Sequence, residues 1–284
     1  MNTIKYITIA CIALALSACQ TMGPSIKLST ESGYSTEALS YLPENKQPSK
    51  DIVIIVLHGK GSRPDKGFRV ELYQKLNVAG YEVVAPFMTW SERWDGTFDD
   101  GLAVIDAAVE KIKSRGKDAV VVGHSLGGAS SLIYASNPHK DLLGIAVIAP
   151  GHPLHRSGKM RKIVKSSVKK ARKMVKKDRG DEKSYFKERN SGRTRDVYMS
   201  AEAYLSFYDK KVHPNVDELL GDITIPLLWI GGREDPLTSK LQMAERFEEI
   251  PKNNKSRFVI LAGDHQPVVP NSADEIIKWI ESLN

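Results

Sequence analysis

The chain has 284 residues, 41 Lys+Arg against 34 Asp+Glu, and a formal net charge of +7, with 41% hydrophobic and 26% charged residues. This balance belongs to a folded globular protein of one or two domains and excludes a disordered or fibrous chain. Two cysteines, Cys11 and Cys19, in neither CxxC nor Cys/His spacing, exclude a disulfide scaffold, a structural zinc site and a redox dithiol.

Residues 6–18 follow Lys5 and are almost wholly apolar. As a helix they would span about 20 Å, short of the ~30 Å hydrocarbon core, so they read as a secretory signal rather than a membrane span. Leu16-Ser17-Ala18-Cys19 resembles the lipobox of bacterial lipoproteins. That resemblance implies cleavage after residue 18 and lipidation of Cys19 with palmitate-type acyl chains. A plain signal peptide and an uncut anchor are the other readings. By the same resemblance, Gln20 in place of Asp favours the outer membrane, facing the periplasm of a bacterial envelope. Residues 19–35, polar and small, are expected to be a tether.

From Asp51 onward, short β-rich runs alternate with helical patterns, which predicts an α/β fold with a mainly parallel sheet flanked by helices. In chain order the expected elements are an edge strand at 37–42, a fully buried strand at 52–57, a helix at 68–79 and a strand at 81–85. A helix at 98–113, a strand at 119–122, a helix at 126–135 and a strand at 145–148 follow. After a long interruption come strands at 227–230 and 258–261 and an amphipathic helix at 273–283. The expected organisation is a core of 36–150 and 216–284, with 151–215 as a helical cap.

Four motifs fall at the carboxyl ends of these strands, where open α/β sheets build their sites. Gly123-His124-Ser125-Leu126-Gly127 is a G-x-S-x-G between a buried strand and a helix, the pattern of a nucleophile elbow. His58-Gly59-Lys60-Gly61 offers a backbone N–H, that of Lys60, to join the N–H of Leu126 around an oxyanion. Asp235 follows Gly231-Gly232 after the strand 227–230, and His265 follows Gly263-Asp264 after the last strand. A serine hydroxyl is a poor nucleophile without a base in reach, and that base needs a carboxylate to orient it. Among seven histidines, His124 is locked in the elbow, His139 sits in a polar loop, and His152, His155 and His213 belong to the interruption. His265 is therefore the expected base. Asp235 is preferred to Glu234, and Asp264 reads as a turn residue. His58, Trp90 and His124 are candidates for a substrate pocket, with His58 also readable as a loop brace and Trp90 as ordinary packing.

The Ser125…Asp235…His265 order, the HGxG loop and the GHSxGG elbow together resemble the α/β-hydrolase superfamily, in particular its esterase and monoacylglycerol-lipase-like branch, over roughly 36–150 and 216–284. The resemblance implies a serine hydrolase acting on carboxylic esters of lipase, esterase or lysophospholipase type, with Ser125 as nucleophile, His265 as general base and Asp235 as its orienting acid. A thioesterase or peptidase would use the same residues. No metal or cofactor is implied. A second expectation is an envelope-binding lipoprotein that uses the scaffold without catalysis.

The interruption holds the positive charge: residues 156–195 carry 17 Lys/Arg against 4 Asp/Glu, so the remainder of the chain is net acidic. Met160, Ile163, Val164, Val168, Ala171, Met174 and Val175 follow one helical face of this stretch. Such a basic amphipathic helix is expected either to cap the site with a solvated outer face or to rest on anionic lipid. The absence of interleaved aromatics argues against nucleic acid.

Overall fold

The computed structural model describes residues 21–43, 50–137, 141–151, 158–190, 192–237 and 239–283. The signal segment 1–18, Cys19, Gln20, His139, His152 and His155 lie outside the described residues. The first strands are β1 (Thr21–Met22), β2 (Ile26–Ser29), β3 (Ser35–Leu42) and β4 (Ile52–Leu57). Helix α1 (Phe68–Val78), β5 (Glu82–Pro86), α2 (Phe98–Lys113), β6 (Asp118–His124), α3 (Leu126–Ala135) and β7 (Leu142–Ile148) follow. The insertion holds α4 (Gly158–Val175), β8 (Lys183–Asn190), β9 (Arg193–Ser200) and α5 (Ala201–Tyr208). The chain closes with β10 (Leu227–Gly232), α6 (Lys240–Glu248), β11 (Arg257–Leu261), α7 (Val268–Asn271) and α8 (Ala273–Glu281).

Nine strands form one sheet in the order β1-β3-β5-β4-β6-β7-β10-β11, with β2 also paired to β3. The six strands from β5 to β11 run parallel, and β3 and its two partners run antiparallel to them. The central strands are apolar without interruption because both faces are covered. Val53, Ile55 and Leu57 of β4 enter one core with α2, α3 and the insertion, while Ile52, Ile54 and Val56 enter the other with α1 and α8. This period of two supplies two cores from one run of six residues. Helix α2 starts at a capping box in which Thr97 Oγ1 accepts from Asp100 N–H and Asp100 Oδ2 accepts from Thr97 N–H, each at 3.0 Å.

Three sequence expectations are corrected here. Residues 21–29, expected in a tether, are strands: Thr21 and Met22 pair with Leu42 and Tyr41, and Ile26–Ser29 pair with Ala38–Ser35. β3 is consequently not the edge strand, since β1 and β2 cover it. The insertion is not purely helical. β8 and β9 form a hairpin, with Phe186, Glu188, Val197 and Met199 facing inward. The inward Glu188 breaks the apolar alternation that would have announced a strand.

Among the described residues no helix is long and apolar enough to cross a membrane.

Candidate active site

The chain runs from β4 to β5 on one side and then returns to β6 on the other side of β4. The order of the sheet reverses there, so a crevice opens beyond the carboxyl ends of β4 and β6. Ser125 stands in it as the single residue between β6 and α3, at φ 55° and ψ −115°. A non-glycine residue held this way costs about 1–3 kcal/mol and persists only where its surroundings enforce it. They do so here on both sides of the peptide. Ser125 N–H donates to the Ile148 carbonyl (3.0 Å), and the Ser125 carbonyl accepts from Ala129 N–H (3.0 Å) and Gly151 N–H (2.8 Å). The turn closes only without side chains on its flanks: a Cβ on Gly127 would lie 2.5 Å from the Leu57 carbonyl oxygen, and one on Gly123 would overlap the Gly127 carbonyl and the Ser131 hydroxyl.

The turns after β10 and β11 bring the other two side chains over the same edge. His265 Nδ1 donates to Asp235 Oδ2 at 2.8 Å, and His265 Nε2 lies 2.9 Å from Ser125 Oγ, placed to accept the hydroxyl proton. The Asp235 side chain is buried, and Leu237 N–H donates to its other oxygen at 2.8 Å. Burial alone would raise the Asp235 carboxyl, but the hydrogen bonds from His265 and the Leu237 amide outweigh it and hold the group below the usual carboxylate range. The neighbouring acids do other work. Glu234 accepts from Gly263 N–H (2.6 Å) and so ties the acid turn to the histidine turn, while Asp264 accepts from Gln266 N–H (3.0 Å) within its own turn.

The loop after β4 presses on the serine, since a Cβ on Gly59 would lie 3.2 Å from Ser125 Cβ. This sets the Gly59–Lys60 peptide beside Ser125. Leu126 opens α3, so its N–H has no intrahelical acceptor and points with the helix terminus toward the crevice.

His58, Trp90 and His124, the candidates for a substrate pocket, are all buried. His58 accepts from Met88 N–H at Nε2 (3.2 Å) and donates from Nδ1 to the Gly59 carbonyl (2.9 Å). Trp90 Nε1–H donates to the His58 carbonyl (2.8 Å), and the Trp90 carbonyl accepts from Gly61 N–H (2.7 Å). His124 Nε2–H donates to the His265 carbonyl (2.8 Å), so the elbow itself holds the histidine turn. Sequence reasoning placed these side chains on the site edge but had no signal for which way they faced. Among the described residues no group of three or more His, Cys, Asp or Glu is disposed to hold a metal ion.

Burial keeps both rings uncharged: it pushes His58 down to about 4, and with repulsion from His265 it pushes His124 down to about 3. Unfolded histidine titrates near 6.5. Above that pH neither state binds the proton and the contribution to stability is complete. Below it only the unfolded chain takes up protons, so each ring costs about 1.4 kcal/mol per pH unit until its folded value is reached. Chemical denaturation is expected to show about 3 kcal/mol less stability at pH 5 than at pH 6.5, and an unchanged midpoint would contradict these two assignments.

Residues 48–269 match the family described as serine aminopeptidase, S33. The chain belongs to this family, and with it to the α/β-hydrolases. Solved structures agree on the fold. The chain is similar to Est1E from Butyrivibrio proteoclasticus, at 14% identity and a TM-score of 0.64 over 92% of this chain and 99% of that one. It is similar to the α/β-hydrolase GrgF from Penicillium sp. sh18, at 14% identity and a TM-score of 0.70 over 93% and 97%. It is also similar to an esterase domain from a Rhodothermus marinus protein, at 17% identity and a TM-score of 0.62 over 93% and 100%. No curated protein matches the sequence significantly. The chain is a hydrolase of the α/β class.

Proposed function

We propose that this α/β-hydrolase cleaves carboxylic esters with an apolar acyl group through an acyl-enzyme at Ser125. The observation that carries the reading is the unbroken hydrogen-bonded chain Asp235–His265–Ser125, ending on a serine held at positive φ. Ser125 Oγ attacks the ester carbonyl as its proton passes to His265 Nε2, and the Asp235 carboxylate stabilises the imidazolium. The N–H groups of Leu126 and Lys60 receive the oxyanion, each such donor being worth roughly 3–4 kcal/mol. His265 then gives its proton to the departing alcohol. Water repeats the sequence to release the acid and restore Ser125.

The test is parallel turnover of a p-nitrophenyl ester series of increasing acyl length, a matching thioester and an aminoacyl p-nitroanilide. Esters should lead by at least about 10²-fold, and a preference for the anilide or the thioester would replace this reading with the corresponding activity.

The same proposal places the chain on a bacterial envelope, anchored by lipid on Cys19 and facing the periplasm from the outer membrane. One residue, Gln20, separates Cys19 from β1, a reach of about 7 Å over two Cα–Cα steps, so the anchor would hold the body against the bilayer. The basic cap adds a second contact. A groove of about 730 Å³ along α4 has Arg161, Lys162, Lys165, Lys169, Arg172 and Lys210 around a floor of Val164, Val168 and Tyr208. Its one carboxylate, Asp209, is already paired with Arg172. On the outer face of the hairpin, Tyr185 and Tyr198 are exposed and pack against each other at 4.9 Å, a pair suited to an interface. Thr21 pairs with Leu42, at the end of β3 away from the site edge, so both contacts reach one bilayer only when the strands lie along its surface. Residues 20–284 without lipid should float with phosphatidylglycerol vesicles and not with phosphatidylcholine. Reversing Lys162, Lys165 and Lys169 to Glu should cut that binding at least about tenfold, each basic group contributing about 1 kcal/mol. Unchanged flotation would remove the cap from the proposal.

A further inference from the structure

Lys60 belongs to the loop that contributes an oxyanion donor, yet its side chain is not spread into solvent. It is 8% exposed, and its ammonium lies 2.8 Å from Glu188 Oε2 of the cap hairpin, whose side chain is fully buried. Lys60 Nζ also donates to the Arg189 carbonyl at 2.6 Å, and Asn190 Nδ2 donates back to the Lys60 carbonyl at 3.1 Å. Glu188 is held in turn by Arg195 Nε at 2.5 Å and by the Tyr208 hydroxyl at 3.2 Å. The next residue, Gly61, at φ +65°, lies so close to Arg195 that a Cβ would stand 2.5 Å from the guanidinium.

The loop is therefore gripped by its side chain, by its carbonyl and by close approach, and all three contacts come from one hairpin of the insertion. Glycines on both sides of Lys60 leave the peptide free to rotate unless something outside the loop restrains it. A buried ion pair is a poor device for stability alone, because apolar residues of similar volume commonly serve as well, but it fixes geometry.

We propose that Glu188 is a positioning residue for the oxyanion hole: through Lys60 it orients the Gly59–Lys60 peptide toward Ser125, so that hydrolysis requires the cap hairpin to be seated. This rests on the reading of Ser125 as nucleophile and of the Lys60 amide as a donor. An oxyanion donor acts in the transition state and little in substrate binding, so loss of its alignment lowers kcat and leaves KM alone.

The test uses Glu188→Gln, with active sites counted by fluorophosphonate and p-nitrophenyl butyrate as substrate. The expected result is a fall in kcat per titrated site of at least about tenfold with KM within threefold. The inhibition constant of a trifluoromethyl ketone, which mimics the tetrahedral adduct, should rise in proportion. The double variant Lys60→Met/Glu188→Leu removes the buried pair together, leaves the half-exposed Arg195 to solvent and the Tyr208 hydroxyl without its Glu188 acceptor, and should stay folded while keeping the low kcat. A folded Glu188→Gln enzyme with kcat within twofold of wild type overturns the inference, as does wild-type kcat in the double variant should Glu188→Gln not fold. A wild-type protein that neither turns over ester nor labels at Ser125 instead overturns the hydrolase reading, and the inference with it.

Discussion

Replacing Ser125 with Ala should lower kcat for p-nitrophenyl esters by about 10⁴–10⁶-fold while leaving the chain folded and KM within a few-fold. The nucleophile, base and acid act as a unit, so deleting the serine removes the acyl-enzyme route entirely. What survives is binding and the two backbone donors, which alone give about 10³–10⁴-fold over water. The fold should tolerate the change, because the backbone at φ 55° is set by hydrogen bonds from Ala129 and Gly151 and to Ile148, none of which uses the hydroxyl. Activity retained within tenfold would mean that ester cleavage occurs elsewhere on the chain.

Asp235→Asn is expected to cost about 10⁴-fold in kcat, for a reason particular to the turn. Leu237 N–H donates to one oxygen of Asp235 and His265 Nδ1–H donates to the other. An asparagine must keep its carbonyl toward the Leu237 amide, which turns its NH₂ toward His265. The ring then accepts at Nδ1 and carries its proton on Nε2, facing Ser125, where it can no longer act as a base. The deficit should shrink as pH rises and hydroxide takes over proton removal. A variant within tenfold of wild type at pH 7.5, measured by steady-state ester hydrolysis, would show that Asp235 does not set the tautomer.

The site was legible where a local backbone requirement leaves a residue signature. Gly123 and Gly127 flank a turn that admits no Cβ, and the apolar runs at 52–57 and 227–230 are buried on both sheet faces, so elbow and strands could be read in order. The acid and histidine followed because a glycine stands at or just past the end of each of two largely apolar strands, β10 and β11. Side-chain direction was not legible. His58 and His124 are polar residues at the site edge, but burial and a backbone partner for each turn them into braces. The hairpin β8–β9 was hidden because its solvent face is dense with charge and one of its inward residues is Glu188, acceptable there only because Lys60, Arg195 and Tyr208 converge on it. Residues 21–29 read as a tether because a polar edge strand has the composition of a linker, and only its pairing with β3 distinguishes the two.

The division of charge takes a structural form as well. The basic stretch supplies an outer surface through α4, but it also sends Glu188 inward to a lysine of the acidic core. The cap is thereby joined to the loop beside Ser125 and is not merely laid over it.

The central claim is that Ser125 is the nucleophile. Treating the folded protein with a fluorophosphonate and locating the adduct by peptide mass spectrometry tests this most directly. The account predicts one adduct per chain, on Ser125, lost in Ser125→Ala and slowed in His265→Ala. An adduct on another residue, or labelling that persists in Ser125→Ala, would contradict it.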